Sequence, residues 1–366
     1  MKIKYVIGLM SGTSMDGINA SLVKTNGKML EQTGYKTILN YSKKTTSLLK
    51  EYVFNYHNLK HNKHFENQLS YEIVNDHNNA ITEIKKVSGI EPELVGFHGQ
   101  TVFHNPRENI SIQVGNGYLL SKMCKIKVVS KFRQNDIDNG GEGAPISPIY
   151  HKFLMQKFNV DLPCCFINIG GVSNITYWDG HILIGFDLGP GNGLMDIYCQ
   201  KHLGIPFDNL GEIASQGKPD FNTINKFLQL PFLKKSYPKS IDRLEFESFV
   251  QNLTLKHLNH SDILSTFLEF TTGSIQKGIE ILPSLPKKIV IMGGGQHNKY
   301  LMKKLKLSLP TDIVEANQIG IDGDYVEADM IAYLAMRRLA NIPITYPNTT
   351  GVNHPCIGGE VFDFLN

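Results

Sequence analysis

Gly8-Leu9-Met10-Ser11-Gly12-Thr13-Ser14-Met15-Asp16-Gly17, entered from the apolar run Tyr5-Val6-Ile7, has a counterpart at mid-chain in Asn168-Ile169-Gly170-Gly171-Val172-Ser173-Asn174. In both, a β-branched run enters a turn of small, hydroxyl-bearing residues and a second run follows, which is the pattern of a β-hairpin. Glycines let backbone N–H groups approach an anion closely, and Ser11, Thr13 and Ser14 add hydroxyl donors. Two similar lobes, each opening with such a hairpin, would set the two turns face to face across a cleft. An ordinary tight hairpin is the competing reading of either turn taken alone.

Outward from these turns, short strands are expected at 5–10, 19–24, 94–97, 110–114, 126–129, 165–169, 174–178, 182–186, 289–292 and 312–315. Helical periodicity covers 65–87, 193–202, 246–258, 263–281, 299–305 and 326–339. Interleaved strands and helices argue for an α/β fold. The polar, Gly-rich loop 132–143 marks the expected division. Residues 1–133 would form the first lobe and 134–339 the second, the end of the chain, 340–366, returning to the first.

The 366 residues suffice for two domains of ordinary size. Apolar and aromatic residues make up 41% and charged ones 19%, a globular balance. Basic side chains number 37 and acidic ones 34, leaving +3 with no long basic run, so no nucleic acid or membrane surface is expected as a partner. Five cysteines without a CxxC pair suggest neither a disulfide framework nor a zinc site and fit a reducing compartment. No apolar stretch nears the ~18 residues of a membrane span, and the start of the chain lacks a signal-peptide layout. The expectation is a soluble, cytoplasmic protein. His57, His61 and His64 share helical spacing and are read as a solvated face rather than a metal site.

Several residues could carry chemistry. Asp16, at the far side of the first turn, could hold magnesium directly or through water. No P-loop and no GxGxxG after a strand is present, so any phosphate bound here would rely on backbone dipoles and a cation. Gly293-Gly294-Gly295 follows the strand at 289–292 and would let the main chain pass flat against a ring or phosphate, or simply pack against a strand. Asp187 in Gly185-Phe186-Asp187-Leu188-Gly189-Pro190-Gly191-Asn192 is expected at a strand end, before a stiff turn. That is how a general base is presented, although a turn Asp bonding its own backbone competes. His98 and Gln100 suit sugar hydroxyls, and Arg133 and Asp136 lie on loop 132–143, where a substrate carboxylate would find a bidentate partner. Glu327 opens a helix, where an acid is also favoured by the macrodipole.

These segments occur in one order with Pro238-Lys239-Ser240 and Gly323-Asp324…Glu327-Ala328. Together they closely resemble the anhydro-N-acetylmuramic acid kinases, a branch of the actin and sugar-kinase superfamily, over nearly the whole chain. The resemblance implies a two-lobed actin/sugar-kinase-like α/β fold, each lobe a mixed sheet flanked by helices, with an interlobe active-site cleft. It also implies ATP and Mg²⁺ as cofactors, a small amino sugar as substrate and a homodimer. By the same resemblance, Gly12, Thr13, Ser14, Met15, Asp16, Gly17, Ile18 and Asn19, with Gly170 and Gly171, form the phosphate turns. Gly293, Gly294 and Gly295 lie toward the nucleotide, and His98, Gln100, Arg133 and Asp136 toward the sugar. Asp187 matches the catalytic aspartate and Glu327 the glutamate that helps position the attacking water.

The implied reaction hydrolyses the anhydro bridge and phosphorylates O6, giving N-acetylmuramic acid 6-phosphate and ADP in peptidoglycan recycling. The chain departs from the usual pattern at Leu188 (usually Thr), at Asp138-Asn139 and Glu142, at Gly115-Asn116, and at Ile241-Asp242-Arg243-Leu244-Glu245. Those departures keep two alternatives open: a kinase for a different hydroxyl- or carboxylate-bearing metabolite, and an inactive nucleotide-binding sensor.

Overall fold

A computed structural model describes residues 2–12, 15, 17–105 and 108–365, the side chains of 57, 243 and 244 lying outside the description. The chain divides into two compact units, Met1–Phe153 with Tyr325–Asn366, and Leu154–Asp324. The expected division at 133/134 and 339/340 is thereby corrected. The segment 134–153 stays with the first unit, and the returning segment begins at Tyr325. The physical reason is the helix Val326–Leu339, which packs on strands of the first unit's sheet.

The first unit holds β1 (Lys4–Ser11), β2 (Gly17–Thr25), β3 (Leu30–Asn40), β4 (Leu94–Asn105), β5 (Ile110–Val114) and β6 (Val128–Ser130). The C-terminal strand Glu360–Phe362 closes the sheet beside β6. β1, β2 and β3 form an antiparallel meander, and β4 and β6 continue from β1 in parallel. The second unit holds β7 (Cys164–Ile169), β8 (Val172–Trp178), β9 (Leu183–Pro190), β10 (Lys288–Met292) and β11 (Asp312–Glu315). Again the first three form an antiparallel meander and the last two run parallel to its first strand. The orders 3-2-1-4-6 and 9-8-7-10-11 are the same with the same senses, so the duplication read from the two turns extends through whole sheets.

Alternation along β1 explains its packing. Ile7 and Leu9 enter the apolar cluster that holds Ile73 and Val74 of the helix Lys63–Ser88. Gly8 points the other way. A Cβ there would collide with the carbonyl oxygen of Ala328, and one on Gly96 of β4 would lie 2.6 Å from that of Ile331. Glycine on two neighbouring strands is what lets the helix Val326–Leu339 lie directly on the sheet. The long helix Lys63–Ser88 is capped by the Asn62 side chain, which accepts from Phe65 N–H, and stopped by Gly89 in the left-handed region.

Three local expectations change. The strand β3 carries no periodic signal in the sequence, because nearly all its side chains are exposed or half-buried at a sheet edge. β9 runs on to Pro190, so Asp187 lies within a strand, paired with Asn174, rather than after its end. Loop 132–143 contains the short helix Gln134–Asp138. Among the described residues, no helix is long and apolar enough to cross a membrane, and all five cysteines are free thiols.

Gly8→Val would drive two methyl groups into the backbone of Val326–Leu339. A loss of about 3 kcal/mol or more in urea unfolding is expected. An unchanged midpoint would mean that the helix does not rest on β1 in solution.

Candidate active site

In the first unit a buried polar chain fixes the start of the first glycine turn. Ser11 Oγ lies 3.1 Å from His77 Nε2 and accepts from Tyr41 OH at 2.8 Å. Tyr41 OH also reaches Gln100 Oε1 at 3.2 Å. Gln100 Nε2 donates to Gly12 O at 2.9 Å and to Thr101 O at 3.1 Å. The Gln100 amide, fully buried, thus engages protein groups at both ends. Met15 turns with a positive φ of 56° and donates its N–H to Gly12 O. Gly17, Ile18 and Asn19 already belong to β2, Ile18 within the apolar cluster. Thr13, Ser14 and Asp16 lie outside the described residues.

A second network joins the residues expected to meet a sugar. Arg133 Nε donates to His98 Nε2 at 3.1 Å, and His98 Nδ1 lies 2.9 Å from Gly99 O. Nδ1 therefore carries the ring hydrogen and Nε2 accepts. Arg133 also donates through a terminal nitrogen to Gly143 O at 2.9 Å. Asp136 is the hub of the loop: one carboxylate oxygen accepts from Gly143 N–H at 2.7 Å and the other from Thr350 Oγ1 at 2.6 Å. The loop is thereby tied to a hydroxyl more than two hundred positions away. Nothing in the sequence pattern signals Thr350. Glu327 sits half-buried in the first turn of Val326–Leu339, the site that the helix dipole favours for an acid.

Burial keeps the histidines here neutral. Desolvation lowers His77 to about 4. Desolvation first, then the positive charge of Arg133, lowers His98 to about 3. Between 6.5 and these values the unfolded chain binds protons that the folded unit refuses, so stability falls as pH drops through that window. Urea midpoints at pH 7.5 and 5.0 should show this fall, and His77→Gln should make it shallower. An equal fall in that variant would mean that His77 is not buried neutral.

In the second unit the turns gather at one end of the sheet. β7, β9 and β10 run parallel to one another, so Gly170-Gly171, Gly191-Asn192 and Gly293–Gly295 all leave the sheet at its carboxyl edge, where open α/β sheets bind ligands. Asn192 N–H donates to Gly170 O at 2.7 Å and Gly191 N–H to Gly171 O at 3.0 Å. A Cβ on Gly191 would strike Gly170 O, so these turns touch because glycine leaves room. Gly293 has a φ of 75°, and a side chain there would meet Asn168 Oδ1 and the Ile169 carbonyl.

Asp187 stands on the opposite face of β9 from Phe186 and Leu188, only 6% exposed. Its N–H donates to Lys239 O at 2.9 Å and its Oδ2 accepts from Ile241 N–H at 3.1 Å. Leu188 packs in the core beside Gly278, so a threonine hydroxyl at that position would point away from Asp187.

Two amides the sequence did not mark also lie at this edge. Asn192 Oδ1 and both polar atoms of Gln296 are buried and have no hydrogen-bond partner among the described residues. Buried amides are normally satisfied, so they fit a hydrogen-bonding ligand or water. Gln296 stands directly after the glycine triplet, the one signal that could have flagged it. Among the described residues no group of three His, Cys, Asp or Glu could hold a metal ion.

A family model described as anhydro-N-acetylmuramic acid kinase matches residues 4–363. A protein of that name from Nitrobacter winogradskyi is 37% identical over 363 residues, covering 97% of this chain and 98% of its own. Another, from Pelagibacter ubique, is 37% identical over 375 residues and covers 96% of each. Among solved structures, a ROK family glucokinase from Streptomyces griseus in complex with glucose and AMPPNP aligns with a TM-score of 0.43. Its identity is 13%, over 91% of this chain and 99% of that one.

Matches of this length define the chain as a phosphotransferase that acts on a sugar hydroxyl and uses ATP. It belongs to the anhydro-N-acetylmuramic acid kinase family.

Proposed function

We propose that the chain opens the 1,6-anhydro ring of anhydro-N-acetylmuramic acid with water and transfers the γ-phosphoryl group of ATP to O6. The products are N-acetylmuramic acid 6-phosphate and ADP, and the setting is peptidoglycan recycling. The observation that carries this is Asp187, a buried carboxylate aimed away from the core near the sheet edge where three glycine turns meet.

In the substrate O6 is tied to C1 and has no proton to lose. Asp187 takes a proton from water as its oxygen attacks C1. The C1–O6 bond breaks with its electron pair passing to O6. That oxygen then attacks the γ-phosphorus, and ADP leaves with the electrons of the cleaved P–O bond. One base thus drives both steps. General-base help contributes ~10²–10⁴-fold, while the phosphoryl step needs mainly positioning and charge stabilisation. Glu327 orients the attacking water. Arg133 receives the substrate carboxylate, held in aim by His98, and Asp136 keeps the loop closed around it. Gln100 serves the same site by fixing Gly12.

The turns at Gly12–Asn19 and Gly170-Gly171 cradle phosphates, and Gly293–Gly295 with Asn192 faces the nucleotide. Magnesium, bound with the nucleotide, would neutralise phosphate charge. Such an ion leans on one or two carboxylates and the phosphates themselves, and Asp16 is the proposed carboxylate. The proposed form is a cytoplasmic homodimer.

In ¹⁸O-labelled water, with ATP, Mg²⁺ and the anhydro sugar, label should appear at the C1 hydroxyl of the product. Label in phosphate instead would mean a plain ATPase. Asp187→Asn should cost at least ~10²-fold in kcat with little change in Tm. Retention of more than a few per cent of activity would remove Asp187 as the base.

A further inference from the structure

A cleft of about 390 Å³ on the first unit is walled by the helix Gln134–Asp138, by Arg338 near the end of the helix Val326–Leu339, and by the segment 357–360. That is room for a small metabolite, and none of the residues given a part in the reaction lines it. Its walls are braced against one another. Asn135 Nδ2 donates to Ile357 O at 2.6 Å, and Arg338 Nε donates to Gly359 O at 2.7 Å. Lys131 and Glu360, both exposed, pair with each other at 2.6 Å.

Two opposite charges remain in the cleft. Arg338 spends one terminal nitrogen on Asn341 Oδ1 at 3.2 Å, and the other has no hydrogen-bond partner among the described residues. One carboxylate oxygen of Asp138 accepts from Gln134 Nε2 at 2.8 Å, and the other is likewise without a partner among them. Both side chains line one cleft, yet they form no ion pair with each other. Asp138 is also a departure from the usual pattern that the reaction leaves unused. Charge then decides what fits. A lone anion would meet Asp138 as well as Arg338, a lone cation would meet the reverse, and an apolar molecule would strip water from both. We propose that this cleft binds a small zwitterion, an amino acid or short peptide with free ends, its carboxylate on Arg338 and its ammonium on Asp138. The bound molecule ties the helix Gln134–Asp138 to Val326–Leu339. It thereby restrains the loop in which Asp136 holds Gly143 and Thr350. Binding there does not depend on which sugar the chain accepts.

Calorimetric titration of the whole protein with glycine, glycylglycine and triglycine tests this, since the three carry the same two charges at increasing separation. At least one should bind about tenfold or more tightly than both N-acetylglycine, which lacks the cation, and glycinamide, which lacks the anion. Arg338→Met should remove that preference. Should it fail to fold, Asp138→Asn carries the test, because the position is exposed and the bond from Gln134 is kept. It should weaken the favoured probe by about tenfold and leave N-acetylglycine no weaker. Amides of 134–143 should exchange with deuterium more slowly while that probe is bound.

Three results would overturn the site: no binding of any of the three zwitterions, binding no tighter than that of the singly charged controls, or binding untouched by Asp138→Asn. Exchange at 134–143 that is unchanged by a bound probe would overturn the restraint of the loop.

Discussion

A carboxylate taken out of water must be compensated where it sits, and the arrangement around Asp187 follows from that requirement. Its burial on β9 would raise the cost of its charge by several kcal/mol were nothing placed against it. Part of that compensation is the Ile241 N–H, which donates to Oδ2 from a segment distant in sequence, and the same segment accepts the Asp187 N–H through Lys239 O. A main-chain grip of this kind leaves fewer rotamers open than a side-chain partner would. The carboxylate is therefore aimed as well as paid for. On the other face of the strand Phe186 and Leu188 lock into the helix side of the core, so β9 cannot roll to release it.

The repeated sheet explains why the remaining parts collect near this carboxylate. A meander followed by two parallel strands sends β7, β9 and β10 in one direction, and their ends place three glycine-rich turns at a single edge. The turns touch through backbone, Gly170 carbonyl against Asn192 N–H and Gly293 over Asn168 and Ile169. At that edge lie main chain and two buried amides, Asn192 and Gln296, with polar atoms that have no hydrogen-bond partner among the described residues.

The first unit manages polarity differently. Its buried histidines are neutral and act as fixed donors and acceptors, His77 on Ser11 and His98 on Arg133. Desolvation is the cause in both cases, and it converts residues that ordinarily titrate near neutrality into struts that do not. Asp136 works in the same sense, spending both oxygens on the loop that contains it and on Thr350.

Much of this was legible in the linear chain. Hairpin turns, strand runs and the helices 65–87 and 326–339 were readable because glycine placement and apolar period are local properties. Asp187, Arg133 and the glycine triplet could be singled out because their chemistry shows in residue type. The edge strand β3 was not legible, since a strand with one exposed edge needs no apolar alternation. Neither was the true extent of the first unit, which depends on where a late helix finds glycines to lie against. By itself, then, the sequence determined the repeat, the family and the residues able to react. Only the tertiary structure decided which face of β9 Asp187 occupies, that Leu188 is core, and that Lys239, Ile241 and Thr350 serve residues far from them along the chain. Such pairings are set by long-range packing, in which one strand's register moves every side chain on it together.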